Sequence, residues 1–228
     1  MHVTELISHL PGTPVVLERC RALAMLDAVL SPNWEARYYS CDSRWAPEEV
    51  NASMRNGSGD EYSIVFTETG AFVRGFDHES ALSPARQRVM EQGTVGPWPG
   101  LLDGLPEVFR AQVEEPAFCD DEQLQATVCF WREAADTAWR AGAPAPVPEG
   151  VEEDGGASWL FELLLDNSPE AYRSFAEEYY EMDVDLDAVR HVCALRPLTQ
   201  EVVSALNPEL DLADLAGDIA EIGYPTGE

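Results

Sequence analysis

Two strand-like segments joined by a four-residue turn constrain this fold more than any other part of the sequence. Residues 61–66 and 71–76 are rich in β-branched and aromatic side chains, and Thr67-Glu68-Thr69-Gly70 separates them. Such side chains favour strands, and a short connection that contains Gly favours a hairpin. The sequence therefore predicts a central antiparallel hairpin over residues 61–76.

Helical patterns flank this hairpin on both sides. Residues 13–30 begin with Thr13-Pro14 and then carry an apolar stripe at helical spacing. Ser168-Pro169 and Thr199 each mark a helix start near the C-terminus, and Gly223 marks the end of the last helix. We therefore expect an α+β fold in which a small antiparallel sheet is packed by N-terminal and C-terminal helices.

Two further segments need an interpretation. Residues 122–140 fit either a single helix or a hairpin, and the β-branched and aromatic residues at 127–131 favour the hairpin. Residues 189–196 alternate between apolar and polar side chains, which predicts a strand.

Length and composition suit one α+β domain over residues 1–228. Of the 228 residues, 45% are hydrophobic, which is enough for a packed core. A loop rich in Pro, Gly and acidic residues is expected at 141–158. The five cysteines are odd in number and widely spaced, so we expect free thiols. The start, Met1–Glu5, has no basic and apolar signal pattern, which predicts a cytoplasmic location.

The charge balance excludes several function classes. The chain has 42 acidic residues, 14 arginines and no lysine, and its formal net charge is −28. Such a charge repels nucleic acid and anionic membranes. Without lysine, neither a P-loop nor Schiff-base chemistry is possible.

The acidic residues are concentrated late in the sequence. From Pro197 to the end there are seven acidic residues and no basic ones. Four of them lie off the apolar stripe of the last helix: Asp211, Asp214, Asp218 and Glu221. This surface is either a solvated face or a binding face for a basic protein partner.

Three proton-carrying side chains, Asp77, His78 and Glu79, follow the second strand of the hairpin. A histidine beside carboxylates can serve as a general base or bind a metal. Adjacent side chains diverge, however, and the four histidines have no metal-binding spacing. We therefore expect neither a metal nor another cofactor, and the alternative role for Asp77 is to cap a turn.

A second polar cluster combines arginines with acidic and aromatic residues. Its members are Arg44, Arg55, Arg74, Asp42, Trp45 and Asp60. Forked guanidinium groups could bind an anionic ligand, or they could pair internally with the nearby aspartates. Both interpretations stay open at this level.

Several strings resemble a family of bacterial cytoplasmic proteins to which no activity is assigned. They are Trp34-Glu35-Ala36-Arg37-Tyr38-Tyr39-Ser40, the segment 70–80 (Gly-Ala-Phe-Val-Arg-Gly-Phe-Asp-His-Glu-Ser) and the tail Glu221-Ile222-Gly223-Tyr224-Pro225. In charge and size the chain also resembles, loosely, the immunity proteins that neutralise bacterial toxins.

Two functions follow as hypotheses. The first is a non-enzymatic acidic binding protein, immunity-like, that recognises a basic protein. The alternative is a small hydrolase that uses His78 with Asp77 or Glu79 and an anion clamp of arginines.

Overall fold

A computed structural model describes residues 2–89, 96–143 and 154–227. Most of the loop expected at 141–158 lies outside these ranges. The helices are α1 (Val3–His9), α2 (Thr13–Leu30), α3 (Pro84–Val89), α4 (Arg110–Val113), α5 (Glu162–Leu165), α6 (Pro169–Tyr179), α7 (Leu186–Cys193), α8 (Gln200–Leu206) and α9 (Ala216–Ile222). Short 3-10 helices cover Trp34–Ala36, Glu107–Phe109, Pro116–Phe118 and Leu212–Leu215.

The strands are antiparallel. They are β1 (Tyr39–Ala46), β2 (Glu49–Arg55), β3 (Glu61–Thr67), β4 (Gly70–Phe76), β5 (Cys119–Asp120), β6 (Gln123–Leu124), β7 (Val128–Glu133) and β8 (Arg140–Ala141). Helices pack on these strands, so the α+β fold class is confirmed. The chain divides into two compact units: unit 1 is Met1–Thr13 with Arg55–Glu162, and unit 2 is Pro14–Met54 with Leu163–Glu228.

Unit 1 is built on the strands β3, β4, β7 and β8, which lie side by side in that order. The predicted hairpin 61–76 is confirmed: β3 pairs with β4 from Glu61 opposite Phe76 to Thr67 opposite Gly70. Helix α1 packs against β7 and β8. Phe161 stacks on Tyr62 with ring centroids 5.1 Å apart, so aromatic packing fills this core.

The hairpin interpretation of residues 122–140 is also confirmed. Strand β7 pairs with β8 through Phe130 opposite Ala141 and Trp131 opposite Arg140. The Asp136 carboxylate closes the connection, because it accepts hydrogen bonds from the Glu133 backbone N–H at 3.1 Å and from Arg140 Nε at 3.0 Å.

Unit 2 combines the β1–β2 hairpin with the long helix α2 and the C-terminal helices. Strand β1 pairs with β2 from Tyr39 opposite Met54 to Ala46 opposite Glu49, and α9 packs against β1. Every residue of α2 from Ala22 to Leu30 is buried. Helix α9 ends at Gly223, whose φ of 67° is left-handed and suits a residue without a Cβ.

The strand expected at residues 189–196 is wrong, because Leu186–Cys193 form the helix α7. Asp185 caps this helix, and its carboxylate accepts the Ala188 N–H at 2.8 Å. Val189 and Val192 are buried three residues apart, which is helical spacing. The alternating sequence pattern thus coincides with a helical stripe, and the cap decides between them.

The cysteines of the described chain are free, as expected. Cys20, Cys41 and Cys129 are buried, whereas Cys119 and Cys193 are half-buried. Among the described residues, none of the helices has both the length and the apolar character that crossing a membrane requires.

Candidate functional site

The hairpin β3–β4 brings Asp60 and His78 together in unit 1. Asp60 immediately precedes β3 and His78 follows β4 by two residues, so the pairing of Glu61 with Phe76 places them at the same end of the hairpin. The backbone N–H of His78 donates to Asp60 Oδ1 at 2.9 Å, and the ring atom His78 Nδ1 lies 2.7 Å from the same oxygen. The Asp60 side chain is 9% exposed and that of His78 is 43% exposed. The result is an accessible imidazole held by a buried carboxylate.

Hydrogen bonding controls the titration of this pair. The bond from Asp60 raises the pKa of His78 above its usual value, and the nearby charges of Asp60, Glu79 and Asp77 act in the same direction against the opposing effect of burial. Burial alone would raise the pKa of Asp60, but hydrogen bonds from His78 and Asn56 outweigh it and lower that pKa. Both shifts favour an ion pair of imidazolium and carboxylate.

Asp77 adopts the turn-capping role that the sequence allowed. Its Oδ1 accepts the N–H groups of Glu79 at 3.0 Å and Ser80 at 3.1 Å, and its Oδ2 accepts Trp159 Nε1 at 3.2 Å. The Glu79 residue is exposed. The carboxylate bonded to His78 is therefore that of Asp60, and Asp77 and Glu79 act on the imidazole through charge.

One group of three potential metal ligands occurs within the described parts of the chain. Ligand atoms of Asp60, Asp77 and His78 all lie within 4.8 Å of one another. Imidazole and carboxylate ligands suit zinc or manganese. However, Asp60 Oδ1 and Asp77 Oδ1 each already interact with two donor groups, which occupies their lone pairs.

Arg74 is committed to an internal pair. It is 2% exposed, and its guanidinium donates to Glu61 Oε1 at 2.5 Å and to the Gln125 carbonyl at 3.0 Å. The guanidinium carbon also lies 4.7 Å from the centroid of the Phe118 ring. Arg74 is therefore paired internally, but its partner is Glu61 and not one of the expected aspartates.

The other members of the expected arginine cluster fall in both units. Arg55 opens the second segment of unit 1, where it is half-buried. Strand β1 of unit 2 contains Asp42, Arg44 and Trp45. The backbone N–H of Arg44 donates to Asp42 Oδ1 at 2.7 Å. A cavity of about 400 Å³ in unit 1 is lined by Glu114, Pro116, Cys119 and Glu122, so it does not involve these residues or His78.

The four acidic residues expected to form a partner face differ in availability. Asp211, Asp214 and Glu221 are exposed. Asp218 is instead paired with the buried Arg37, whose Nη1 donates to Asp218 Oδ1 at 2.5 Å. We use "acidic face" below for Asp211, Asp214 and Glu221, which form no ion pair within the described ranges.

A buried carboxylate, Asp27 of α2, was missed by sequence reasoning. It is 0% exposed, and it accepts the Tyr172 hydroxyl at 2.6 Å and the backbone N–H groups of Tyr39 at 2.7 Å and Tyr38 at 3.0 Å. Burial raises its pKa to about 6 against the opposing effect of these bonds. The available signal was the single acidic residue inside an otherwise apolar run, residues 22–30.

An aromatic cluster in unit 2, at the end of α6, was also missed as a surface. Phe175 and Tyr179 stack with centroids 5.5 Å apart, and Tyr38 packs edge-on against both at 4.8 and 4.9 Å. Tyr180 contacts Tyr179 at 4.9 Å. Tyr179 stays 39% exposed. We call Tyr38, Phe175, Tyr179 and Tyr180 the tyrosine patch.

Comparisons of this chain with protein-family models, with curated proteins and with solved structures give no match.

Proposed function

We propose that this protein is a non-enzymatic binding protein that recognises a basic protein partner through unit 2. The observation that carries the proposal is the acidic face, where three carboxylates are exposed in a segment that has no basic residue after Arg196. Such a surface accelerates association with a positively charged partner and selects against negative ones. Nucleic acid and anionic membranes are excluded as partners by the same charge, and the proposed setting is the cytoplasm.

A charge-matched pair of variants tests the proposal. The face variant is Asp211→Asn, Asp214→Asn and Glu221→Gln, and the control is Glu68→Gln, Asp103→Asn and Asp121→Asn, which are exposed residues of unit 1. Both variants lose three negative charges. With a nona-arginine peptide at about 20 mM salt, where charges are weakly screened, we expect the face variant to bind about threefold more weakly than the control. Equal affinities would assign the binding to net charge and contradict the proposal.

A second candidate function, acid–base hydrolysis, is supported by the His78–Asp60 pair. A carboxylate that orients an accessible imidazole is one component of many hydrolytic sites. Arg74, one of the arginines expected to bind the anionic substrate, pairs with Glu61 instead. A screen with aryl esters and aryl phosphates would test this candidate, because turnover lost in His78→Ala but kept in His2→Ala would establish it.

A further inference from the structure

The tyrosine patch has the composition of a site for a cationic side chain. Aromatic rings carry negative charge on their faces and attract guanidinium or ammonium groups within about 6 Å. Phe175 stacks on the Tyr179 ring, and Tyr179 is still 39% exposed, so part of this aromatic side chain remains accessible to a ligand. The edge-on contacts of Tyr38 and Tyr180 hold this ring in place.

Acidic residues outnumber basic ones around the patch, where Arg173 of α6 pairs with Glu177 at 3.7 Å. Between Glu177 and Asp187, six of the eleven residues are acidic and none is basic. Glu178, Glu181 and Asp183 of this segment are exposed. The patch also lies at the C-terminal end of α6, where the helix dipole is negative.

A buried carboxylate beneath the patch adds to this potential. The groups that hydrogen-bond Asp27 are hydroxyls and backbone amides, which are neutral. Burial is the main cause of the raised pKa of Tyr179 and of Tyr180, and the charge of Asp27 raises both further. Below a surface ring, such a charge strengthens the attraction for a cation above it.

We propose that the tyrosine patch binds an arginine side chain of the basic partner, with the guanidinium stacked on Tyr179. Arginine fits better than lysine, because its planar and weakly hydrated group stacks on aromatic faces. This inference depends on the proposed function for the partner's basic character, and it adds a specific anchor at a different position in unit 2. Tyrosine and arginine are both enriched among the few residues that dominate the binding energy of protein interfaces.

The test uses nona-arginine and nona-citrulline peptides with the full chain. Citrulline keeps the shape of arginine but removes its charge. We expect Tyr179→Ala to weaken nona-arginine binding about fivefold, as for an exposed cation–π contact, and Tyr179→Phe to keep it within about twofold. The control Val108→Ala removes a 46% exposed apolar side chain from unit 1 and is expected to change nothing.

A second measurement is independent of any variant. In the wild-type protein, the arginine Hε signals of the bound peptide should move upfield through the ring current of Tyr179, and citrulline signals should not. Binding that is equal in Tyr179→Ala and wild type, or equal for the two peptides, would overturn the inference. The inference would also be overturned if Tyr179→Phe bound nona-arginine as weakly as Tyr179→Ala, because the hydroxyl and not the aromatic ring would then account for the binding.

The outcomes separate this inference from the proposed function. If the face variant weakens binding and Tyr179→Ala does not, the acidic face binds the partner and the proposed arginine site at the tyrosine patch is wrong. If Tyr179→Ala weakens binding and the face variant has the same affinity as its control, the tyrosine patch binds arginine and the proposed role of the acidic face is wrong.

Discussion

The carboxylate of Asp27 accepts a 2.6 Å hydrogen bond from the hydroxyl of Tyr172, and both side chains are fully buried in unit 2. The same carboxylate accepts the backbone N–H groups of Tyr38 and Tyr39, so it joins α2, α6 and the start of β1. An acid in this position specifies how three elements meet, and burial makes its ionised form costly.

The pH dependence of stability should carry the signature of Asp27. Its pKa is 3.8 when exposed and about 6 in the folded state, so folding favours its protonated form. Its contribution to stability is thus fully present below pH 3.8 and is lost as the pH rises to about 6. The shift of about two units corresponds to a loss of about 3 kcal/mol.

Asp27→Asn isolates this effect, because asparagine is neutral at every pH. We expect the free energy of unfolding of the wild type, minus that of the variant, to fall by about 3 kcal/mol between pH 3 and pH 7. Urea unfolding at several pH values measures this difference. A difference that does not change with pH would show that burial does not perturb Asp27.

The titration of His78 should depend on Asp60. The hydrogen bond from Asp60 raises the pKa of His78, so Asp60→Asn should lower the midpoint of the His78 imidazole signal in an NMR titration. The exposed Asp121→Asn is the control and should leave that midpoint in place. A His78 midpoint that is unchanged in Asp60→Asn would mean that the 2.7 Å contact does not persist in solution.

Zinc should not bind at micromolar concentration to Asp60, Asp77 and His78. Oδ1 of each carboxylate already interacts with two donor groups, and Oδ2 of Asp60 and of Asp77 accepts Asn56 and Trp159, so a metal would have to displace these hydrogen bonds. Calorimetric titration of the purified protein with zinc and with manganese measures this. One equivalent of bound metal that disappears in His78→Ala would contradict the expectation.

Breaking the Arg37–Asp218 pair should destabilise the protein. The Arg37 side chain is 6% exposed, and its guanidinium also donates to the Ser31 carbonyl at 2.8 Å. Arg37→Ala leaves these acceptors without their donor, and we expect a loss of about 3 kcal/mol in urea unfolding.

The matched control is Arg110→Ala, whose side chain is 62% exposed and whose pair with Glu107 lies on the surface. Its expected cost is below about 1 kcal/mol. If the two variants were equally stable, the contact between Arg37 and Asp218 would not stabilise the protein. Asp218 would then be available to a partner, like the residues of the acidic face.

The sequence predicted elements whose signals are local. The turn Thr67–Gly70 and its flanking strands identified the central hairpin, and Ser168 and Thr199 cap the helices that they were expected to cap. The strand expected at 189–196 failed because alternation and a helical stripe coincide over eight residues. The deciding group, Asp185, lies outside that window.

The candidate sites were harder to predict because they depend on long-range contacts. His78 was assigned to its sequence neighbours, whereas its partner Asp60 lies 18 residues away. Extending the hairpin register by one pair beyond Glu61 and Phe76 would have placed Asp60 opposite Asp77. No such extension exists for Asp218, because its partner Arg37 lies 181 positions away along the chain.

Each unit contains a buried thiol whose rate of alkylation reports how often that unit opens. Burial raises the pKa of Cys129 in unit 1 and of Cys41 in unit 2 to about 12, so neither thiol reacts while its unit is closed. Alkylation of Cys129 therefore records the opening of unit 1, and alkylation of Cys41 records the opening of unit 2. Two labelling rates from one sample, read by mass spectrometry, tell whether the units open together or in turn.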